Sequence, residues 1–431
     1  MSTIKRLQRL TGDVKPDQMK PAGGEVIGEL RRRVEAIMAR RSVAASTSPA
    51  FFYNDHFPLK SLIQGEEVEN DHGKFFIAHD LIHGSYRHGF RQLREISDLN
   101  MQALSLLAND PHIMHYDYTD GLFLDTETTG LAGGTGTLPF LIGLGWFEGE
   151  SFIIRQLFVR DFKEERAALS FLLHISKTKR FLVTYNGKAF DIGLLSTRLI
   201  MNRLHDHLSV LPNLDLLHPS RRLLCHRTDN SRLGTLEETI LGLKRKGDLP
   251  GHEIPQRYFN WLKSRDARFM VNVFEHNRLD IISMVVLTIQ LAETLDGRHH
   301  NKYIDPYDLI AASRLLIDRR NISGALNILE PFVECDDKNI AQECRKIMSL
   351  IYKRSNRWDM AVKLWNIMIA DNPVDFFATE ELSKWYEHKK HNFEKAHLLV
   401  NEALCQSQNM TAPERESLNH RLKRLRTKLR I

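Results

Sequence analysis

Five residues between positions 125 and 280 carry groups able to do chemistry together. Asp125 and Glu127 lie in GLFLDTETTG, Asp191 lies in YNGKAFDIGLL, and Asp280 lies in EHNRLDIISMV with His276 one helical turn before it. Each has a bland explanation alone: acidic pairs are common at strand ends, an aspartate suits a helix start, and a histidine can sit satisfied at a core edge. Together they are four carboxylates and an imidazole. Clustered carboxylates repel unless a cation neutralises them. Such a set can hold two divalent ions and support phosphodiester hydrolysis. Oxygen-rich ligands favour Mg²⁺ or Mn²⁺ over zinc.

The elements that must position these groups are readable. Strand side chains alternate, so Asp125 and Glu127 share a face, while Leu122 and Leu124 mark the strand as buried. Asp191 falls in the first turn of a helix, after the strand RFLVTYN and a turn at Asn186 and Gly187. His276 and Asp280 are four apart on one helical face, among Phe274, Ile281, Ile282, Val285 and Val286. A buried aspartate there is costly without a partner. PFLIGLGWFEGESFIIRQLFV predicts a hairpin turning at EGE. DFKEERAALSFLLHIS predicts a helix capped by Asp161, with Glu164 three residues on. NLDLLHP predicts a further strand, in which Asp215 has a structural role, and residues 232–295 are helical. The fold class is α/β, a mixed sheet flanked by helices, and the hairpin argues against a purely parallel doubly wound sheet.

Composition sets the outer limits. With 431 residues, 42% of them apolar, the chain is long enough for more than one domain. A net charge of +6 permits a nucleic-acid partner. Four cysteines without a CxxC pair fit neither a disulfide scaffold nor a thiolate zinc site, and a cytoplasmic location is expected. No apolar run is long enough for a membrane span, and the N-terminus has no secretion-signal pattern. Residues 1–50 are read as an arm with a basic helix at 26–40, and 51–114 as a small accessory region with strand-like pieces such as KFFIAH. Residues 115–298 carry the acidic set, 304–412 are all-helical, and 413–431 form a basic tail. In the helical part Ala325, Ala361 and Ala396 recur at spacings of 36 and 35, close to the tetratricopeptide period. A TPR-like domain of this kind offers a surface to a protein partner or guides nucleic acid. GLAGGTGT lacks the GK[ST] ending of a phosphate-binding loop and is expected to shape a turn. His72, His79, His83 and His88 are expected to lie in a histidine-rich loop.

DTETTG, NGKAFD and HNRLD resemble the three motifs of the DEDD exonuclease superfamily, built on a ribonuclease H-like fold. The stretch LDTETTGLAGGTGTLPFLIGLGWFEGE resembles a signature of its YprB-like branch, and the similarity covers about residues 115–295. The resemblance implies a two-metal 3′–5′ exonuclease in which Asp125, Glu127, Asp191 and Asp280 bind the ions and His276 is the general base. Asp125 would bridge both ions, Glu127 and Asp280 would complete the one holding the attacking water, and Asp191 would serve the second. The spacing of four between His276 and Asp280 departs from the five usual in histidine-type members and matches the tyrosine-type. Thr126, Thr128, Thr129 and Asn186 are expected near the terminal nucleotide. Lys188 is expected at a phosphate, and Arg221, Arg222, Lys244 and Arg245 along a phosphate track. A nucleic-acid-binding scaffold without activity and a structure-specific endonuclease are the competing readings.

Overall fold

A computed structural model describes residues 57–130, 136–297, 303–406 and 410–430. The expected N-terminal arm and basic helix, and residues 131–135 of the glycine-rich stretch expected to shape a turn, lie outside the described residues. Residues 57–431 fall in one compact unit.

A seven-stranded mixed sheet organises it, in the order β1-β2-β7-β6-β5-β8-β9. The strands are β1 (Gly65–Asn70), β2 (Gly73–His83), β5 (Gly121–Thr128), β6 (Pro139–Glu148), β7 (Ser151–Phe158), β8 (Phe181–Thr184) and β9 (Asn213–Asp215). β3 (Arg87–His88) and β4 (Arg91–Gln92) form a separate small ladder. The expected β6–β7 hairpin is present, and β5 is antiparallel to β6 and parallel to β8. The 51–114 segment is not a separate accessory piece in its strands: β2 pairs along β7 and extends the sheet. His79 and His83 lie on β2 rather than in a loop. His88 is buried with its Nε2 2.8 Å from Ser283 Oγ, and burial lowers its pKa to about 4, so it stays neutral.

Both faces of the sheet are covered. The shorter helices are α1 (Leu59–Leu62), α2 (Met101–Ala108), α5 (Leu217–Leu224) and α6 (Leu233–Leu236). Leu122 and Leu124 join a core with Ala167 of α3 (Glu165–Ser176), Leu195 of α4 (Asp191–Met201) and Tyr258 of α7 (Ile254–Ser264). Phe123 faces the other way, into a core with Ile281 and Val285 of α8 (Val271–Leu295). That second core runs on through α8 into the C-terminal helices, which explains why α8 is apolar nearly all round after Asp280. Two glycines of β6 let α8 lie close to the sheet. A Cβ at Gly143 would sit 2.3 Å from Asn277 Oδ1, and one at Gly145 would sit 2.6 Å from Ile281 Cγ2.

The C-terminal region is all-helical: α9 (Pro306–Asp318), α10 (Ile322–Leu329), α11 (Lys338–Arg354), α12 (Trp358–Asp371), α13 (Phe376–His388), α14 (Phe393–Cys405) and α15 (Ala412–Leu429). α9 pairs with α10, α11 with α12, and α13 with α14. Ala325, Ala361 and Ala396 occupy the second helix of each pair, fully buried where two helices approach. The expected basic tail is instead part of this packing. Leu418, Leu422 and Leu425 form a buried stripe on α15, and Arg421, Arg424 and Lys428 converge on the buried carboxylate of Glu387. Those cations hold an internal charge, so they are not free for nucleic acid.

Candidate active site

The acidic residues meet at the end of β5. Strand alternation turns Asp125 and Glu127 toward α8 and Thr126 toward the start of α4. Asn277 of α8 donates from Nδ2 to Asp125 Oδ2 at 2.8 Å. Gln156 Nε2 donates to Asn277 Oδ1 at 2.9 Å and to the Phe274 carbonyl at 2.8 Å. A chain of buried amides from β7 through α8 thus fixes the carboxylate, in space left by Gly143.

Asp191 opens α4, and Thr126 Oγ1 donates to its Oδ1 at 2.5 Å. The preceding loop is pinned from β9. Asp215 accepts from the backbone N–H groups of Asn186 at 2.7 Å, Lys188 at 3.0 Å and Leu217 at 3.1 Å. That agrees with a structural reading of Asp215 and lets Asn186 hold its left-handed φ of 62°.

His276 points into the cluster. Its Nδ1 lies 2.8 Å from Asp248 Oδ1, and its Nε2 lies 3.5 Å from Asp280 Oδ2 and 4.0 Å from Glu127 Oε1. With the proton on Nδ1 donated to Asp248, the Nε2 lone pair faces the two carboxylates. Ligand atoms of Glu127, His276 and Asp280 lie within 4.8 Å of one another, a spacing that fits one divalent ion.

Arg245 occupies a different place from the one expected. It is not on an outer phosphate track, because the turn containing it folds inward. Its guanidinium pairs with Glu237 at 2.5 Å and with Asp280, and it lies 3.4 Å from Asp248. It is a cation inside the acidic cluster. Arg222 is likewise engaged, with Asp318 at the end of α9. Thr126 is spent on Asp191, and Thr128 Oγ1 donates to the Gly130 carbonyl at 2.8 Å. Thr129 Oγ1 accepts from Leu138 N at 3.0 Å. Asn186, Lys188, Arg221 and Lys244 are exposed, the last 3.4 Å from Glu238. Asn277, Gln156, Asp248 and Glu237 were not foreseen. The one available signal was Asn277, an amide beside His276 on a helix otherwise apolar on its buried side.

Burial pushes Asp125 well above the ordinary aspartate value, and the charges of Asp280 and Asp191 push it further. Glu127 is raised by burial first and then by Asp125, Asp280 and Asp191. Burial raises Asp191 to about 6 against the opposing hydrogen bond from Thr126. Carboxylates so disposed ionise fully only beside added positive charge, so this donor set fits divalent cations.

The mixed sheet flanked by helices matches a ribonuclease H-like fold, and a family model described as the RNase_H superfamily matches residues 122–292. The chain is also similar to the uncharacterized protein YprB of Bacillus subtilis, with 33% identity over 357 residues, covering 80% of this chain and 84% of the relative. It belongs to the YprB family.

Proposed function

We propose that this protein is a 3′–5′ exonuclease that hydrolyses phosphodiester bonds of nucleic acid with two Mg²⁺ or Mn²⁺ ions. The observation that carries the reading is the clustering of four carboxylates from β5, α4 and α8, two of which, Glu127 and Asp280, lie beside the imidazole of His276. Asp125, Glu127, Asp191 and Asp280 would hold the ions. Bound ions of this kind stabilise charge on the attacking and leaving oxygens and ease deprotonation of water. His276, with Nδ1 held by Asp248, presents Nε2 as the atom that accepts a proton from the attacking water. Thr128, Thr129, Asn186, Lys188, Arg221 and Lys244 supply the contacts to the strand end. Residues 115–298 form the nuclease domain in this reading. The helical pairs of 304–412 are TPR-like units that receive a protein partner or guide the nucleic acid.

The test is nucleotide release from 3′-labelled and 5′-labelled single-stranded DNA and RNA with Mg²⁺, Mn²⁺ or EDTA, comparing wild type with Asp125→Ala. Metal-dependent loss of the 3′ label first, abolished in the variant, is the expected result and also selects DNA or RNA. Cutting of circular substrates would replace the exonuclease reading by an endonuclease. Inactivity on every substrate with metal bound would leave a nucleic-acid-binding scaffold.

A further inference from the structure

The two ends of the C-terminal helices differ in net charge. The turn after α9 carries Arg319 and Arg320, the turn after α11 carries Arg354 and Arg357, and the turn after α13 carries Lys389 and Lys390. The turns at the opposite end carry Glu330, Glu334, Asp336 and Asp337, and then Asp371 and Asp375. Helices that alternate in direction place every second turn at the same end. Proximity across the turns supports this: Lys389 lies 5.0 Å above the ring of Trp358, which begins the helix after the Arg354–Arg357 turn. The three turns are also built alike, with a left-handed residue in each, Arg320 at φ 61°, Asn356 at φ 57° and His391 at φ 52°.

The cations at these tips are free in a specific sense. Arg320, Arg354, Arg357, Lys389 and Lys390 are exposed, and no carboxylate among the described residues lies in ion-pair range of any of them. Elsewhere in the same helices basic groups are committed: Lys353 to Glu381, Arg345 to Asp371, and Arg421 to Glu387. Aromatic rings lie directly beneath the free ones. Arg357 lies 4.8 Å above Tyr352, and Lys390 lies 5.3 Å above the half-buried Trp385. Tyr352 is buried and serves only to seat Arg357, whereas Trp358 and Trp385 are partly exposed. Cations beside such indoles suit a single-stranded nucleic acid, whose phosphates meet the cations and whose bases stack. Asp318, Asp359 and Glu394 flank these turns, so the edge is net basic, and that excess of cations repeats at every second turn.

The edge joins the nuclease-like body. Asp318, at the end of α9, pairs with Arg222 of α5, and Arg319 Nε donates to the Leu106 carbonyl at 3.1 Å. The first turn of the basic edge is therefore anchored next to Arg221 and Arg222.

We infer that the basic end of the helical array, formed by the turns at Arg320, Arg354–Arg357 and Lys389–Lys390, is a binding track for single-stranded nucleic acid. It holds the strand away from the carboxylate cluster. The identity of the partner as substrate rests on the nuclease reading above, whereas the track itself does not.

The experiment uses the full chain in EDTA, so that nothing is cleaved, and fluorescence anisotropy of labelled single-stranded 20-mers of DNA and RNA over a range of salt. The variant Arg354→Ala, Arg357→Ala, Lys389→Ala, Lys390→Ala is compared with wild type and with a charge-keeping variant, Arg354→Lys, Arg357→Lys, Lys389→Arg, Lys390→Arg. The neutral variant is expected to bind at least about 10-fold more weakly. Its log K against log salt is expected to flatten by about 0.7 for each phosphate that the protein no longer neutralises. The charge-keeping variant is expected to bind like wild type, with both retaining the wild-type melting temperature. Unchanged affinity and slope in the neutral variant would overturn the track. So would a loss no greater than that from neutralising the exposed Lys163 and Lys177, or preferential capture of a poly-glutamate peptide, which would mark a site for an acidic protein. Cleavage separates the two readings. If wild type degrades oligonucleotides and the neutral variant degrades and binds them equally well, the track falls and the nuclease stands. If wild type degrades nothing yet binds through these residues, the nuclease falls and the track stands.

Discussion

Arg245 places a cation inside the acidic cluster. It is largely buried and shared among Glu237, Asp248 and Asp280, so it supplies part of the positive charge that the carboxylates require. Removing one partner of a buried ion cluster leaves the others uncompensated. Arg245→Gln is expected to lower the melting temperature of the metal-free protein by several degrees and to tighten Mn²⁺ binding several-fold, because a competing cation is gone. Calorimetric titration with Mn²⁺ and a melt in EDTA check this. Mn²⁺ binding weakened in the variant would mean that Arg245 shapes the site rather than competing for it. In the proposed reaction Asp248 would act through His276, whose Nδ1 it holds at 2.8 Å. Asp248→Asn is expected to reduce turnover by about 10- to 100-fold, the usual effect of losing a histidine's orienting partner. A wild-type pH–rate profile in the variant would argue against that role. The carboxylates themselves were legible because they fall at fixed places in strand and helix. Arg245 was not, since a basic residue in a KRKG turn reads as exposed, and only the folded turn brings Glu237 and Asp280 to it from 8 and 35 residues away.

At the scale of elements, the seating of α8 on β6 decides where Asp125 points. Asn277 fits between them only because position 143 has no Cβ. Gly143→Ala would place a carbon 2.3 Å from Asn277 Oδ1 and 2.7 Å from its Nδ2. The helix must back away or the amide must let go of Asp125. The expected outcome is a loss of about 1–3 kcal/mol of stability from overpacking and a 10- to 100-fold fall in activity, read by denaturant melts and nucleotide release. Full activity with unchanged stability would show that α8 can shift without moving the carboxylate. The β5, β6 and β7 strands and the helix of His276 were readable from alternation, the EGE turn and apolar spacing. The seat of β1 and β2 in the same sheet was not, because KFFIAH shows strand character without naming its neighbour. The C-terminal segment misled for a physical reason too. Its run of basic residues outweighed a leucine stripe at 418, 422 and 425 that marks a packed helical face, and the carboxylate those cations serve, Glu387, lies in another helix.

Across the whole molecule, two sets of carboxylates pull stability in opposite directions with pH. Burial raises Asp191 from an ordinary 3.8 to about 6, and Asp125 and Glu127 are raised as well. Between the ordinary value and the raised one, the folded protein keeps protons that the unfolded chain releases. Stability of the metal-free form therefore falls as pH rises from about 4 through 6 and beyond. Glu387 has the reverse sign. Burial works against its charge, but Arg424 and Lys428 prevail and hold it down at about 2. Its contribution is complete above its ordinary value of 4.5 and is lost as pH falls toward about 2. The metal-free protein is thus expected to melt highest in mildly acidic solution. Glu387→Gln should remove about 2 kcal/mol at neutral pH, a modest figure because Arg424 and Lys428 are partly exposed. Divalent ions should reverse the trend on the alkaline side. At pH 8 Mg²⁺ or Mn²⁺ meets ionised or readily ionised carboxylates, whereas at pH 5 it must displace protons. The rise in melting temperature on adding either ion should therefore be several degrees larger at pH 8 than at pH 5. The double substitution Asp125→Asn, Asp191→Asn should flatten both the pH profile and the response to the ion. Equal shifts at the two pH values would mean that the ions bind somewhere other than this carboxylate cluster.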